Sequence, residues 1–301
     1  MIRPEIRQEI RQEVISSLHK LIGHDFIEIT TRGDAAITAA LSVVSKNKMV
    51  LIPEEGGWLS YPKIPVKLDL KVAEVKCDDA KINLSDLRQK LEDNPCGVLL
   101  YQNPGGYFAE QPMKEIYSLC RKKNCLVIMD VSGSIGTKLC EGKYADILVG
   151  SFGEWKLVEA KAGGFISAKD KDLFEEIKKN ALNDALMKAQ ILDDQEVLGL
   201  ILRRLEELPQ RISFFTEKRK KIIEDLKKYE IVHKNDLGFV VVVKYEQGSQ
   251  KEDHKKASPP EISSRENLIN YCKDNHLPWT ECPRYIRLNK PAISIEVKRL
   301  N

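Results

Sequence analysis

The sequence predicts an α/β protein in two parts. A large domain with a mainly parallel sheet covered by helices spans residues 1–211, and a smaller C-terminal α/β domain spans 212–301. Three observations predict it. Strand-like and helical segments alternate from residue 26 to about residue 170, the pattern of strand–helix–strand units. Several strands are apolar throughout, as in GVLLYQN (97–103) and CLVIMD (125–130); strands buried on both faces read this way, whereas half-solvated ones alternate. A length of 301 residues also exceeds the usual size of one domain.

Taken in order, residues 4–22 place Ile6, Ile10, Val14, Leu18, Leu21 and Ile22 at helical spacing, and Gly23 ends the helix. Its apolar stripe fits either a subunit interface or packing within the chain. FIEITT (26–31) is a strand, the alanine-rich stretch 35–45 a helix, and MVLIP (49–53) a strand stopped by Pro53. A strand near 66–75, a helix at 84–92, the strand at 97–103 and a helix at 112–123 follow. CLVIMD, ILVGS (147–151) and GGFISA (163–168) complete the strands of the large domain. Residues 171–228 read as helix, rich in Lys and Glu and interrupted near Pro209, and GFVVVVKY (238–245) as a strong strand. The polar segment 247–261 with its Pro pair reads as a flexible loop. Ser263 and Glu266 fit a capping box for a helix to about Asp274, and YIRLN through AISIEV reads as two short strands.

Hydrophobic residues at 42% and charged residues at 31% fit a soluble chain with a sizeable core. Lys and Arg total 48 against 45 Asp and Glu, and the resulting +3 carries no electrostatic footprint for nucleic acid or an anionic membrane. No apolar run reaches membrane-span length, and the N-terminus is too polar for a signal peptide. Seven cysteines without a CxxC pair read as reduced thiols of a cytoplasmic protein. The five histidines are scattered, which leaves poor material for a zinc site or a Ser/His/Asp triad. No metal is expected.

Four segments concentrate polar chemistry at strand ends. In TTRGDAAITAAL (30–41) a strand leads through Arg32, Gly33 and Asp34 into a helix. This is an anion site in the making, or an ordinary turn with Asp34 as N-cap. YQNPGG (101–106) sets Asn103 at the end of a buried strand, where open parallel sheets bind ligands; a plain turn fits equally. In VIMDVSGS (127–134) Asp130 closes an apolar strand, either as a cap or as a carboxylate with a ligand to meet, since burying it unpaired is costly. GSFGEWKLVEAKAGGFI (150–166) places Ser151 at a strand end and Lys156 five residues on. A lysine among aromatic and small residues can form a Schiff base, or it is a solvated loop lysine.

The order and spacing of Asn103, Asp130, Ser151 and Lys156, with 26 residues from Asp130 to Lys156, resemble the large domain of fold-type I pyridoxal-phosphate enzymes. The S-F-x-x-x-K pattern at 151–156 resembles aminotransferases of the DegT/DnrJ/EryC1/StrS type. KLVEAKAGGFI is also similar to the lysine segment of cysteine desulfurases and selenocysteine synthases.

The resemblance implies that Lys156 forms the Schiff base with the cofactor and then moves a proton. It implies that Asp130 keeps the pyridine nitrogen protonated, and that Asn103 meets the phenolic oxygen. Arg32, Gly33, Asp34, Ser132 and Ser151 would surround the phosphate and ring, with Trp58, or Tyr61 in its place, stacked on the ring. In PRYIRLN, Arg287, with Arg284 as runner-up, would grip a substrate carboxylate. The sequence departs from the pattern at Trp155, where desulfurases carry histidine, and at Val158–Ala160, where a Gly-rich turn is expected; Lys161 is a second candidate amine. The expected protein is a cytoplasmic homodimer that transaminates a small amino substrate. A β- or γ-lyase, or a binding protein that keeps the fold, are the other readings.

Overall fold

The computed structural model describes residues 4–93, 95–182, 191–246 and 264–300. The segment 247–261 and the capping residue Ser263 lie outside the described residues.

A seven-stranded sheet organises the chain. Its strands are β1 (Phe26–Thr30), β2 (Met49–Pro53), β3 (Lys71–Val75), β6 (Cys96–Gln102), β7 (Leu126–Asp130), β8 (Ile147–Ser151) and β9 (Gly164–Ala168), in the order β1-β9-β8-β7-β6-β2-β3. A small hairpin, β4 (Cys77–Asp78) with β5 (Lys81–Ile82), stands apart from it. All neighbours in the large sheet are parallel except β9, which runs antiparallel to both β1 and β8. That reversal has a consequence for the site. The segment leaving the C-terminal end of β8 returns through β9 from the same edge, so residues 152–163, Lys156 among them, stay at the edge where parallel sheets bind ligands.

Both faces of the sheet are buried, as the continuous apolar strands require. Leu99, Tyr101, Val127, Met129 and Leu148 face one core, together with Val14, Leu18 and Ile22 of α1 (Pro4–Ile22). Val98, Leu100, Ile128 and Val149 face the other, under α2 (Gly33–Leu41), α3 (Ile64–Lys67) and α6 (Lys171–Ile177). Helices α4 (Leu84–Asp93) and α5 (Met113–Lys122) cover the first face. The first helix packs within its own chain, against α7 (Gln195–Glu206). Arg7 pairs with Asp193 at 2.9 Å, and Arg11 reaches Glu28 and the Leu192 carbonyl.

Helix α8 (Leu208–Asp225) begins with Pro209 in its first turn, so the interruption near Pro209 is a boundary between helices. Residues 211 and 212 fall near its start. Beyond it, β10 (Val241–Lys244), β11 (Trp279–Cys282) and β12 (Ala292–Ile295) form an antiparallel sheet in the order β10-β12-β11, with α9 (Ser264–Asp274) against β12.

Two expected strands shift. Residues 64–67 are a helical turn with Pro65 in its first turn, so the strand expected near 66–75 begins only at Lys71. YIRLN is a turn, closed by Arg287 N–H donating to the Arg284 carbonyl and Arg284 N–H to Leu288; the strand lies earlier, at Trp279–Cys282.

Candidate active site

A cavity of about 210 Å³ opens at the C-terminal ends of β7 and β8, beside the first turn of α2. Asp130, Ser132, Ser151, Lys156, Trp58, Arg32, Gly33 and Asp34 all line it, which brings together eight of the eleven residues to which the sequence assigns a site role.

The anion end is built by close approach. A Cβ on Gly33 would lie 2.8 Å from the Ser151 Cβ, and one on Gly164 would lie 2.7 Å from the Arg32 carbonyl carbon. Only glycine at these two places lets β8, β9 and the start of α2 meet. The unpaired N–H groups of a helix's first turn and its positive dipole end then face the cavity. The Ser151 hydroxyl accepts from Gly153 N–H at 3.2 Å, and Ser132 Oγ accepts from Ser151 N–H at 2.9 Å. Arg32 is exposed at the lip, and its side chain makes no hydrogen bond or ion pair among the described residues.

Asp34 lines the cavity with its carboxylate engaged within the protein. It accepts from Trp58 Nε1 and from the Ser60 hydroxyl, both at 2.9 Å, and so orients the Trp58 ring. Trp58 in turn covers Lys156, whose Nζ lies 4.4 Å from the indole centroid. Tyr61 stacks on nothing in the cavity; its hydroxyl donates to Asp130 Oδ2 at 2.9 Å. The second Asp130 oxygen accepts from Ser132 N–H, also at 2.9 Å. Burial first, and then the charge of Asp130, push the Tyr61 phenol well above its ordinary range, so it stays a donor.

Lys156 is 7% exposed and has no carboxylate partner among the described residues. Its Nζ meets the Tyr107 hydroxyl at 2.5 Å. Lys161, the other candidate amine, is exposed and lies outside the cavity wall.

Three expectations are corrected. Asn103 does not reach the cavity: its Nδ2 donates to the Leu139 carbonyl at 3.0 Å, and its Oδ1 accepts from Gln111 N–H at 3.1 Å. Arg287 is not free to grip a substrate. It is 2% exposed and forms a bidentate pair with Glu296, Nε to Oε1 at 3.1 Å and Nη2 to Oε2 at 2.6 Å. Arg284 keeps an uncommitted, half-buried side chain but does not line the cavity either.

Three residues with a structural hold on the site carry little local signal in the sequence. Tyr107 and Ser60 sit in loops. Lys298, whose Nζ donates to the carbonyl of Trp155 at 3.2 Å, lies 4.6 Å from the Tyr107 ring. Burial lowers the Lys298 amine well below its usual range, against the opposing pull of Glu296. The one hint was a run of charges, EVKR, directly after an apolar strand.

A doubly covered sheet with an aspartate, a buried lysine, a stacked indole and a glycine-built anion pocket at its carboxyl edge defines an enzyme of the fold-type I pyridoxal-phosphate class. The sequence model of the DegT/DnrJ/EryC1/StrS aminotransferase family matches residues 12–199. The chain belongs to that family, and by that membership is a pyridoxal-phosphate-dependent aminotransferase. The aminotransferase TlmJ from Streptoalloteichus hindustanus superposes with a TM-score of 0.75 at 13% identity, over 97% of this chain and 86% of that one. A DegT DnrJ EryC1 StrS aminotransferase from Brucella abortus gives 0.73 at 12% identity, over 99% and 86%. A variant of SPT with PLP gives 0.73 at 13%, over 97% and 73%. At such identities the likeness establishes the fold. No curated protein sequence matches the chain.

Proposed function

We propose that the chain transaminates a small amino substrate with Lys156 as the residue that holds the cofactor and moves the proton. The observation that carries the reading is the joint presence of Asp130 and Lys156 on one cavity wall, with the Trp58 ring against the amine. The residues fit the cofactor: the Gly33 cradle and Ser151 suit a phosphate, with Arg32 as its charge partner, and Asp130 suits a protonated ring nitrogen.

When bound, pyridoxal phosphate supplies an electron sink for the bond broken at the substrate carbon. Asp130, fixed by Tyr61 and Ser132, would hold the proton on the ring nitrogen. Lys156 would hold the cofactor through Nζ and, once displaced by the substrate amine, would take a proton from the substrate carbon and return it one position along. Tyr107 would steady Nζ through its hydroxyl, beside the Trp58 ring. The desulfurase-like reading needs a reactive thiolate. Cys272 and Cys282 are buried, and burial pushes both thiols up, Cys272 to about 11, which favours transamination over it.

The two units of 1–211 and 212–301 are supported by their separate sheets, and a homodimer by the resemblance of the fold. Seven free thiols support a reducing compartment such as the cytoplasm. No helix among the described residues is long and apolar enough to cross a membrane.

The test is a visible spectrum of the purified protein with added pyridoxal phosphate, borohydride trapping, and peptide mapping by mass spectrometry, followed by half-reactions with a panel of amino donors. The expected outcome is a trapped adduct on Lys156 and a loss of at least about 10³-fold in half-reaction rate for Lys156→Ala, roughly 4 kcal/mol of barrier. An adduct on Lys161, or none, would overturn the assignment.

A further inference from the structure

Polar side chains in the interior are almost all answered from within the protein. Gln102 is the exception. It is 1% exposed, and neither its amide nitrogen nor its amide oxygen has a partner. The other buried atoms in this condition among the described residues are single Nε atoms of Arg211, Arg219 and Arg299, on guanidinium groups that are engaged elsewhere. A primary amide with both ends dry costs the desolvation of a donor and an acceptor with no return, and native interiors rarely keep one.

Its place gives the orphan a meaning. Gln102 is the last residue of β6, and the parallel register pairs it with Asp130 at the end of β7. Residues paired in register point to the same face, one strand spacing of about 4.8 Å apart. That face carries Leu100, Ile128 and Val149 along the same strands; Asp130 and Val149 line the cavity, and Gln102, itself not part of that lining, stands directly beside Asp130 in register. The next residue along β6, Asn103, has its own amide committed to Leu139 and Gln111. Asp130 is already oriented by Tyr61 and Ser132. The amide beside it is oriented by nothing among the described residues.

We infer that Gln102 is a ligand-binding residue, whose amide is kept for an oxygen carried on the heteroaromatic ring that Asp130 addresses through its nitrogen. The inference rests on the reading of the cavity as a pyridoxal phosphate site, since that ring bears a phenolic oxygen as well as a nitrogen. It moves the oxygen contact from Asn103 to its neighbour, one residue earlier and on the opposite face of the strand.

The test needs no turnover. Binding of pyridoxal phosphate and of its 3-O-methyl ether to the cofactor-free protein is followed by tryptophan fluorescence, for the wild type and for Gln102→Met. Thermal midpoints of the two cofactor-free proteins are recorded alongside. The wild type is expected to prefer pyridoxal phosphate by about 10- to 100-fold, the worth of one hydrogen bond to a charged oxygen. Gln102→Met is expected to lose most of that preference while melting no lower than the wild type, because methionine removes an unanswered amide. Equal binding of the two ligands by the wild type overturns the inference without any variant. So does a variant that melts several degrees lower with its preference intact, which would mean the amide is answered inside the cofactor-free protein by a buried water. If the wild type binds neither ligand, the reading of the cavity fails instead, a result distinct from the first two.

Discussion

Tyr107 stands between two clusters of charged side chains. Toward the cavity are Lys156 and Asp130, 7% and 6% exposed, with Arg32 at the lip. Among the described residues Lys156 touches a phenol and an indole but no carboxylate, and Asp130 takes a phenol and a backbone N–H but no cation. Toward the C-terminus are Arg287, Glu296 and Lys298, equally buried and fully paired, with the Arg287 guanidinium 5.1 Å from the centroid of the Tyr107 ring. Lys156 and Asp130 lie about as deep as Arg287, Glu296 and Lys298, and the two clusters draw on similar charged side chains. They differ in whether each charge finds its opposite inside the chain. A buried charge that does is part of the architecture, and one that does not is kept for something that arrives.

The sharpest way to break that distinction is to remove one charge from each cluster in the cofactor-free protein and measure stability by urea unfolding. Glu296→Gln leaves Arg287 and Lys298 buried without a counter-charge and is expected to cost about 3–5 kcal/mol, whereas the double variant Arg287→Met with Glu296→Leu is expected to return close to the wild type or above it. Lys156→Met removes a buried cation with no ion-pair partner, so it is expected to leave stability unchanged or raise it. If Lys156→Met destabilises as much as Glu296→Gln, the cavity cluster is structural too, and the contrast fails.

Acid sharpens the same comparison. Burial alone would raise the Glu296 carboxyl, but Arg287, Lys298 and Arg299 outweigh it and hold the group at about 2, against the usual 4.5. A carboxyl lowered by folding adds stability that is complete above its unfolded value and is lost as pH falls toward its folded one. The window is therefore pH 4.5 down to about 2, and the loss is on the order of 3 kcal/mol. Between pH 4.5 and 2.5 the wild type should lose about 2 kcal/mol of unfolding free energy relative to the Arg287→Met, Glu296→Leu double variant, most of that amount. Parallel curves would show that the pair is weaker than its geometry implies.

What could be read in the sequence follows the same line between local and distant. Continuous apolar strands show themselves in a window of seven residues, so the parallel sheet is legible, and the chemistry at its strand ends comes with it: Asp130, Ser151, and Lys156 just beyond. The turn at Gly33 is legible because a glycine before a helix has few other uses. Arg287 looked like a ligand grip because its partner, Glu296, is nine residues away across a turn that reads as a strand. Asn103 looked like the ligand residue of its strand because it ends a buried parallel strand and matches the asparagine that the family resemblance implies. The face of a strand, however, is set by a period of two, and a slip of one residue changes sides. Tyr107 meets Lys156 across 49 residues of chain, and no local pattern announces such a contact.

The smallest expected effect tests how the open cluster keeps its shape before any ligand enters. Asp130 could turn in its cavity if only the Ser132 N–H held it; the Tyr61 hydroxyl fixes the second oxygen. Tyr61→Phe keeps the ring, which is fully buried, and removes only the donor. A hydrogen bond to a charged group contributes about 1.5–3 kcal/mol, and the lower end applies here because Asp130 keeps its other partner. Urea unfolding should therefore show a loss of about 1.5 kcal/mol. The more telling reading is the affinity for pyridoxal phosphate, measured by fluorescence on the same protein. If Tyr61 orients Asp130 for a ring nitrogen, affinity falls about tenfold as well, because part of the binding free energy now goes to fixing the carboxylate. A variant that loses stability while binding as tightly as the wild type would place Tyr61 with the closed cluster, as one more internal partner for a buried charge.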